Sequence, residues 1–354
     1  MLMTISLPRV AGNMVARMVL GLLGMLAVIG SSESARAAEM VNIYSHRQPF
    51  LIQPFLDAFT AETGIETRVV FASKGLAQRL EAEGAASPAD VVLTVDIARL
   101  RVYADRQLLR PVSSPVLDRI IPQSLRSPDN TWFAFSLRSR VIATSLKRVD
   151  ADAVSRVEDL ADPAFKGRLC TRPGSHVYNR ALLASVIAAH GQEAATDWAR
   201  GVVSNLARRP QGNDRAQAKA IFQGECDIAI MNHYYYGNML NGDKADQRQW
   251  AQAIRIIFPN QGEGDRGAHV NISGGGIARY SKNPEAAQRF LEFLVSPKAQ
   301  RLYADINYEY PVNPAVELPQ SLKLWGSFRP DTVSINKLAD LAPTAQRIID
   351  TVGW

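Results

Sequence analysis

The sequence has few cysteines, and beyond its first residues it lacks both a long apolar run and a block of basic residues. Two of its 354 residues are cysteine, and the net charge of +6 comes from arginines and lysines scattered along the chain. A nucleic-acid-binding surface needs a concentrated basic face, and a membrane helix needs about 20 consecutive apolar residues. These absences argue against a nucleic-acid partner and a membrane-spanning protein, whereas the modest positive excess suits an anionic ligand or co-ligand.

The sequence also lacks the common catalytic motifs. It contains no G-x-S-x-G elbow, no H-E-x-x-H metal motif, no P-loop and no dinucleotide-binding glycine pattern after a predicted strand. The glycine run at residues 274–276 lies within a predicted strand, where it favours close backbone approach or hinge freedom over phosphate binding. We therefore predict a binding protein rather than an enzyme. An exported enzyme with a tyrosine-based site is an alternative.

The first 38 residues predict an export signal. A basic start with Arg9 and Arg17 precedes an apolar segment at residues 18–30 and a small-x-small cleavage pattern at residues 35–37. An apolar segment of this length is typical of a signal peptide and is too short for a comfortable membrane span. We expect a periplasmic protein whose mature chain is long enough for two lobes.

The two cysteines stand at matching distances from two tyrosines. Cys170 precedes Tyr178 by eight residues, and Cys226 precedes Tyr234 by eight residues. In an exported protein two cysteines can pair with each other. We expect a disulfide between two neighbouring strands that carry these tyrosines to one place, and the alternative is chance spacing with two buried thiols.

The alternation of short strands and helices predicts an α/β fold with two lobes. Strands and amphipathic helices alternate over residues 41–108 and again over residues 168–258. This order implies mixed, mainly parallel sheets covered on both faces. Two long extended segments, near residues 136–144 and 269–279, predict crossovers that serve as hinges beside a central cleft.

The crossovers make each predicted lobe discontinuous. After a signal peptide of residues 1–38, we assign residues 39–137 plus 272–318 to lobe 1 and residues 138–271 plus 319–354 to lobe 2. The cleft between the lobes is the expected binding site.

The run Tyr234-Tyr235-Tyr236 follows an apolar, strand-like segment and is the most unusual local feature. The chain has ten tyrosines in all, and three of them stand here in a row; tyrosine is also common in strands and amphipathic surfaces, which is the structural alternative. In open α/β sheets, ligands bind beyond the carboxyl ends of the strands. Tyr178 is predicted to lie beyond a strand end, as Tyr234 and Tyr235 are. Three phenolates would neutralise a trivalent hard cation, and hard oxygen donors argue against zinc and copper(I). Iron(III) is the predicted ligand.

Three phenolate oxygens leave an iron(III) coordination sphere incomplete. His46 is a candidate direct ligand, with a capping or surface role as the alternative. Arg47, together with Arg101, Arg138 or Arg140, could hold a small anion that supplies the missing oxygens, because guanidinium groups suit planar oxyanions. Ion pairs between the lobes are the alternative for Arg138 and Arg140. A further alternative is the same fold binding a small anion or an organic ligand.

Six segments together resemble the periplasmic ferric iron-binding proteins, the substrate-binding components of iron(III) ABC transporters. The segments are VNIYSHRQPF (41–50), PADVV (88–92), RSRV (138–141), GSHVYN (174–179), NHYYYG (232–237) and HVNISG (269–274). The resemblance covers nearly the whole mature chain and implies a type II periplasmic binding protein fold. It further implies that Tyr178, Tyr234 and Tyr235 bind iron and that Tyr236 does not, in a monomer that delivers iron to an ABC permease of the inner membrane.

The resemblance also implies how the coordination sphere is completed. Many relatives carry a histidine, or a histidine and a tyrosine, after the first strand, where this chain has Gln48 and Pro49. The chain is therefore similar to the subgroup in which a carbonate-type anion completes the sphere. Arg47, Gln48, Ser175 and a cleft arginine, Arg101 or Arg138, are the residues expected to hold that anion.

Overall fold

The computed structural model describes residues 39–354, and the predicted signal peptide lies outside the described residues. The strands are β1 (Met40–Ser45), β2 (Glu66–Phe71), β3 (Val91–Val95), β4 (Leu109–Arg110), β5 (Phe133–Ser145), β6 (Leu169–Cys170), β7 (Ile228–Asn232), β8 (Ile254–Ile257), β9 (Val270–Ala278) and β10 (Tyr310–Pro311). The α-helices are α1 (Pro49–Thr63), α2 (Leu76–Glu83), α3 (Ile97–Asp105), α4 (Pro115–Ile120), α5 (Val177–Ser204), α6 (Asp214–Gln223), α7 (His233–Asn241), α8 (Ala245–Gln252), α9 (Pro284–Leu294), α10 (Pro297–Asp305), α11 (Gln320–Lys323) and α12 (Ile335–Val352). In this part of the chain, no helix has the length and apolar character needed to cross a membrane.

The strands join in a mixed sheet with the order β2-β1-β3-β9-β5-β7-β6. Strand β1 is parallel to β2 and β3, and β6 is parallel to β7. Strands β5 and β9 run antiparallel to each other and to their other neighbours. The prediction of mainly parallel sheets therefore describes the outer strands. The two crossover strands, β5 and β9, are antiparallel instead. The chain leaves one predicted lobe along β5 and returns along β9, so the two strands run in opposite directions.

Strand β5 pairs with one set of strands along its first half and with another set along its second half. Its first half pairs with β9 up to Ser139, and its second half pairs with β7 and β8 from Arg140 onwards. The extended segments predicted near residues 136–144 and 269–279 thus correspond to most of β5 and β9. Bending at these strands and the exact lobe boundaries remain predictions.

The glycine run in β9 is required by close backbone packing. A side chain at Gly275 would collide with the backbone oxygen of Val92 in β3, and one at Gly276 would collide with the backbone oxygen of Thr131. Only glycine allows other backbone segments to approach so closely. The run therefore serves close backbone approach, in agreement with the prediction.

Amphipathic helices cover the sheet and fix the loop that follows β1. Helix α1 buries Phe55 and Phe59, and the ring centre of Phe59 lies 5.1 Å from that of Phe290 in α9. Burial of a phenylalanine side chain contributes about 1.5–3 kcal/mol. This packing holds the start of α1, and with it residues 46–48, at the edge where β1 ends.

The predicted disulfide is present and joins the end of β6 to the residues that lead into the neighbouring strand β7. Cys170 ends β6, Cys226 stands just before β7, and their sulfurs are bonded. The strands are parallel, with Cys170 opposite Ala229. Because parallel neighbours end at the same edge of a sheet, the chain leaves both strands toward one place.

Candidate metal centre

Three tyrosines meet at the N-terminal ends of two helices. Tyr178 lies in the first turn of α5, and Tyr234 and Tyr235 lie in the first turn of α7. The hydroxyl oxygens of Tyr178 and Tyr234 are 3.3 Å apart, and the ring centres of Tyr234 and Tyr235 are 4.4 Å apart. All three line one cavity of about 250 Å³. The structure thus brings the three predicted iron ligands together, and we name them the tyrosine face.

The other well-defined wall of this cavity follows β1. We name it the β1 face, and its members are His46, Arg47, Gln48, Phe50 and Leu51. The positive ends of the α5 and α7 dipoles favour negative charge at the tyrosine face. The cavity therefore has one wall of phenols at helix N-termini and one wall of mixed character.

A buried carboxylate, Asp214 at the start of α6, connects the two tyrosine-bearing helices. Its Oδ2 accepts hydrogen bonds from the backbone N of Asn232 (2.8 Å) and from Arg140 Nη1 (2.8 Å), and its Oδ1 accepts from Arg172 Nη1 (3.1 Å). Arg140 Nη2 donates to Asn179 Oδ1 (2.5 Å), next to Tyr178 in sequence. Burial alone would raise the pKa of Asp214, but the two arginines outweigh it and lower that pKa. Arg140 thus serves an ion pair within the framework of the site.

Burial keeps the phenols of α7 protonated in the metal-free protein. Burial, followed by the neighbouring Tyr178 and Tyr235, raises the pKa of Tyr234 well above 10. Burial and then Tyr178 raise the pKa of Tyr235 to about 12. A bound cation would reverse this, because a metal drives deprotonation of its ligands. Within residues 39–354, no group of three or more His, Cys, Asp or Glu side chains is placed to hold a metal.

Three predicted anion-binding residues, Arg47, Gln48 and Arg138, line the cavity. Arg47 is already paired, because its Nη2 lies 2.5 Å from Glu309 Oε1 and both residues are buried. Gln48 is exposed. Arg138 is buried, its guanidinium carbon lies 5.2 Å from the ring centre of Tyr178, and no carboxylate of residues 39–354 lies within ion-pair distance of it. Arg138 is therefore better placed than Arg47 to face an anion beside the tyrosines.

Two other predicted anion-binding residues lie elsewhere. Arg101 pairs with Asp105 and Asp340 at 3.2 Å each, away from the cavity, whereas Arg99 on the same helix lines it. Residues two apart on an α-helix face about 200° apart, so only Arg99 of these two arginines reaches the cavity. Ser175 is exposed ahead of α5 and is not among the residues that line the cavity.

Three arginines of the cavity, Arg99, Arg172 and Arg215, were not predicted. Arg99 follows β3, Arg172 follows β6, and Arg215 is the second residue of α6. The guanidinium carbons of Arg172 and Arg215 lie 5.1 Å and 4.8 Å from tyrosine ring centres of the site. Position just beyond a strand or at a helix start was the signal that could have identified them. Arg172 pairs with Asp214, whereas Arg99 and Arg215 have no carboxylate of residues 39–354 within ion-pair distance and add positive charge to the cavity.

His46 lines the cavity, but both of its ring nitrogens are engaged. Nδ1 lies 2.8 Å from the backbone oxygen of Ala72, and Nε2 lies 2.8 Å from the hydroxyl of Tyr103. A carbonyl oxygen only accepts, so Nδ1 carries the proton and Nε2 accepts from the tyrosine hydroxyl. Burial lowers the pKa of His46, which favours this neutral form. The arrangement favours the structural role over direct ligation.

Tyr236 differs from its two neighbours in the tyrosine run. Its ring packs edge-on against Trp325, with ring centres 5.7 Å apart. It is not among the residues that line the cavity. The helical turn of α7 therefore separates the third tyrosine from the first two, as the resemblance implied.

An α/β protein with a binding cavity beside two crossover strands has the architecture of the solute-binding proteins. Residues 86–328 match the family model of the bacterial extracellular solute-binding proteins, and the chain belongs to this family. The family is a class of binding proteins, which agrees with the prediction that the chain is not an enzyme.

The relatives narrow this class. Iron uptake protein A1 of Synechocystis is 42% identical over 337 residues, which are 93% of each chain. The apo ferric ion-binding protein A of Pasteurella haemolytica superposes with a TM-score of 0.84 at 43% identity, over 89% of this chain and 98% of that one. The Trichodesmium protein IdiA (FutA), solved in complex with iron and citrate ligands, superposes with a TM-score of 0.84 at 41% identity, over 89% of this chain and 99% of that one. These likenesses confirm the predicted type II periplasmic binding protein fold.

Proposed function

We propose that this protein is exported to the periplasm, captures ferric iron in its cleft and delivers the metal to an ABC permease. The observation that carries the proposal is the convergence of Tyr178, Tyr234 and Tyr235 on one cavity, with two of their hydroxyl oxygens 3.3 Å apart. Three phenols in one place suit a hard trivalent cation better than any organic ligand. The iron-binding relatives support the same assignment.

The three tyrosines act as phenolate ligands in this proposal. Binding of iron(III) releases their protons, and the resulting negative charge balances the metal. The α5 and α7 N-termini, together with the arginines around the cavity, stabilise the phenolates electrostatically. The phenols of Tyr234 and Tyr235 therefore become anionic only while iron is bound.

A small oxyanion of the carbonate type completes the coordination sphere. Arg138 is the main anchor proposed for it, since this buried residue lines the cavity beside Tyr178 and its positive charge has no carboxylate partner in residues 39–354. Gln48 lines the same cavity and is a second candidate contact. The Trichodesmium relative, which holds iron together with citrate, supports the involvement of an anion.

Loading and release follow from bending at the crossovers β5 and β9. Hinge closure around a ligand is a common motion of periplasmic binding proteins. A monomer that closes on iron would present both lobes to the permease in one arrangement, which the permease could distinguish from the open form.

The test is a titration of the metal-free protein with ferric iron, followed by visible absorption and by competition with a chelator. We expect a phenolate-to-iron charge-transfer band for the wild type and for Tyr236→Phe, the matched control from the same run. The Tyr234→Phe/Tyr235→Phe double variant should lose both the band and tight binding. A colourless iron complex, or full binding by the double variant, would refute the assignment.

Metal-free binding of a small anion is the second candidate function. Five arginines line the cavity, namely Arg47, Arg99, Arg138, Arg172 and Arg215, and they favour negative charge there. Calorimetry with carbonate, phosphate and citrate, with and without ferric iron, separates the two functions. Tight anion binding without metal, combined with unchanged affinity on adding iron, would favour this second function.

A further inference from the structure

A second, much smaller cavity lies at the point where the two crossover strands meet. Its volume is about 10 Å³. The residues that line it are Arg138, Arg140, Tyr178, Asn232, His269 and Asn271. Arg138 and Arg140 belong to β5, whereas His269 immediately precedes β9 and Asn271 lies within it. The cavity is therefore bounded by both connections between the lobes.

Several buried polar atoms around this cavity lack a partner among the described residues. They are Nε and Nη1 of Arg138, Nε of Arg140, and both ring nitrogens of His269. The three residues are only 2–3% exposed. Buried polar groups in folded proteins are nearly always hydrogen-bonded, so unpartnered atoms on three residues that line one cavity indicate a partner that the described residues do not supply.

The chemistry of these atoms limits what that partner can be. The guanidinium nitrogens only donate hydrogen bonds. Burial, followed by the charges of Arg266 and Arg140, lowers the pKa of His269 to about 3, so its ring is neutral and offers one donor and one acceptor nitrogen. The partner must accept from the arginines, and it can meet only one ring nitrogen of His269, because the two nitrogens point in different directions. A water molecule can bond to either ring nitrogen, whereas a monatomic anion can bond only to the one that carries the proton.

The volume of the cavity agrees with this chemistry. A buried water molecule needs a cavity volume of roughly 10–15 Å³ and two to four polar partners. The volume of this cavity is about 10 Å³. A halide ion is larger than a water molecule. The cavity therefore has room for one water molecule, and the residues that line it carry more unpartnered polar atoms than one water molecule can bond.

We propose that one ordered water molecule occupies this cavity and bridges the guanidinium groups of β5 to the imidazole of His269. This bridge ties together the two crossover strands and holds Arg138 beneath Tyr178. Arg138 and His269 are positioning residues in this arrangement. The water site rests on the cavity and its atoms alone, and it does not depend on the identity of the ligand in the cleft.

The direct test is a high-resolution crystal structure of the metal-free protein, with a parallel crystal soaked in bromide. We expect a single peak of electron density within hydrogen-bond distance of Arg138 and His269, without an anomalous signal from bromide. An anomalous peak in the cavity would identify a halide site and overturn the proposal. A cavity without density would overturn it as well.

Two variants test the role of the bridge. His269→Leu removes both ring nitrogens, whereas His269→Gln keeps one donor and one acceptor and should retain the water. Loss of such an outer partner of a metal site typically costs about 10-fold or more in metal affinity, so we expect His269→Leu to bind ferric iron about 10-fold more weakly and His269→Gln to bind nearly as the wild type does. The exposed His190→Leu variant is the matched control.

These outcomes separate the water site from the function proposed for the cleft. If His269→Leu does not fold, the density seen in His269→Gln crystals decides the question, since a missing water there contradicts the proposal. If the protein binds no ferric iron at all, the density in metal-free wild-type crystals still decides whether the water exists. Equal iron affinity of His269→Leu and the wild type would overturn the positioning role.

Discussion

The tyrosine face and the β1 face of the cleft are built on different principles. On the tyrosine face, Tyr178, Tyr234 and Tyr235 line the cavity, and the hydroxyls of Tyr178 and Tyr234 bond to each other. On the β1 face, His46 and Arg47 also line the cavity, yet the ring nitrogens of His46 and the terminal nitrogens of Arg47 bond to other parts of the protein. The comparison teaches that lining a cavity does not make a residue a ligand, because a ligand also needs an electron pair that no neighbour uses.

The two faces also differ in how they are braced. Behind the tyrosine face, the disulfide joins β6 to β7, and Asp214 connects α7 with the arginines that contact α5. The β1 face is held by packing of α1 on the core. Covalent and ionic bracing suits a site that must keep three phenols in register before the metal arrives.

The largest expected effect is that of Tyr178→Phe, which tests whether the upstream tyrosine belongs to the same site as the run. Outer partners of metal sites account for about 10- to 100-fold in affinity, so loss of a direct ligand should exceed about 100-fold. The measurement is chelator competition for ferric iron, with Tyr280→Phe at an exposed position as the control. Affinity within a few-fold of the wild type would remove Tyr178 from the ligand set.

A second prediction concerns pH. The pKa values of Tyr234 and Tyr235 are raised in the metal-free protein, so both phenols are protonated at neutral pH and each must lose a proton when iron binds. Affinity should therefore fall as pH falls, by about 10-fold per pH unit for each proton displaced, so these two phenols alone account for about 100-fold per pH unit.

Chelator competition between pH 6 and 8, corrected for the chelator's own protonation, measures this slope. The Tyr236→Phe variant should show the same slope as the wild type, because Tyr236 lies outside the cavity. A pH-independent affinity would show that the phenols do not release protons, and the tyrosine face would then not bind the metal as phenolate.

A third prediction concerns the bracing of the tyrosine face. Asp214→Asn leaves the charges of Arg140 and Arg172 without their carboxylate, and we expect iron affinity to fall by about 10- to 100-fold. The exposed Asp197→Asn variant, which loses only a surface pair with Arg200, should bind as the wild type does. If Asp214→Asn lowers the unfolding temperature but leaves iron affinity unchanged, the carboxylate stabilises the fold without positioning the ligands.

The smallest effect is expected on the β1 face. His46→Ala removes hydrogen bonds to Ala72 and Tyr103, and each such bond contributes only about 0.5–1.5 kcal/mol to stability. We expect a lower unfolding temperature and iron affinity within about threefold of the wild type, since a bond used inside the protein contributes no ligand to the metal. If His46→Ala lost as much iron affinity as Tyr178→Phe, His46 would have to release Tyr103 and bind iron. The two faces would then both supply ligands.

Much of the site could be predicted from sequence because its parts are local. Tyr234 and Tyr235 follow a strand directly, and the equal offsets from Cys170 and Cys226 identified the second strand end. Both observations concern distances along the sequence, and such distances can be read without knowing the fold. The disulfide followed from the same spacing.

The arginines were harder to assign because their roles depend on direction and on distant partners. Arg101 and Arg99 differ by two positions on α3, and only the helix phase decides which one reaches the cavity. Arg47 was expected to hold an anion, but Glu309, which pairs with it, lies 262 residues further along the chain. No local pattern contains that information.

The glycine run in β9 limits which amino-acid substitutions this protein can accept. Gly275 and Gly276 tolerate no side chain, because the backbones of neighbouring segments fill the space. The connection between the two halves is therefore closed to substitution, while the loops beyond the strand ends stay open to it. Selectivity for a new cargo can be acquired at those loops one residue at a time, without altering the strand that we propose as a hinge.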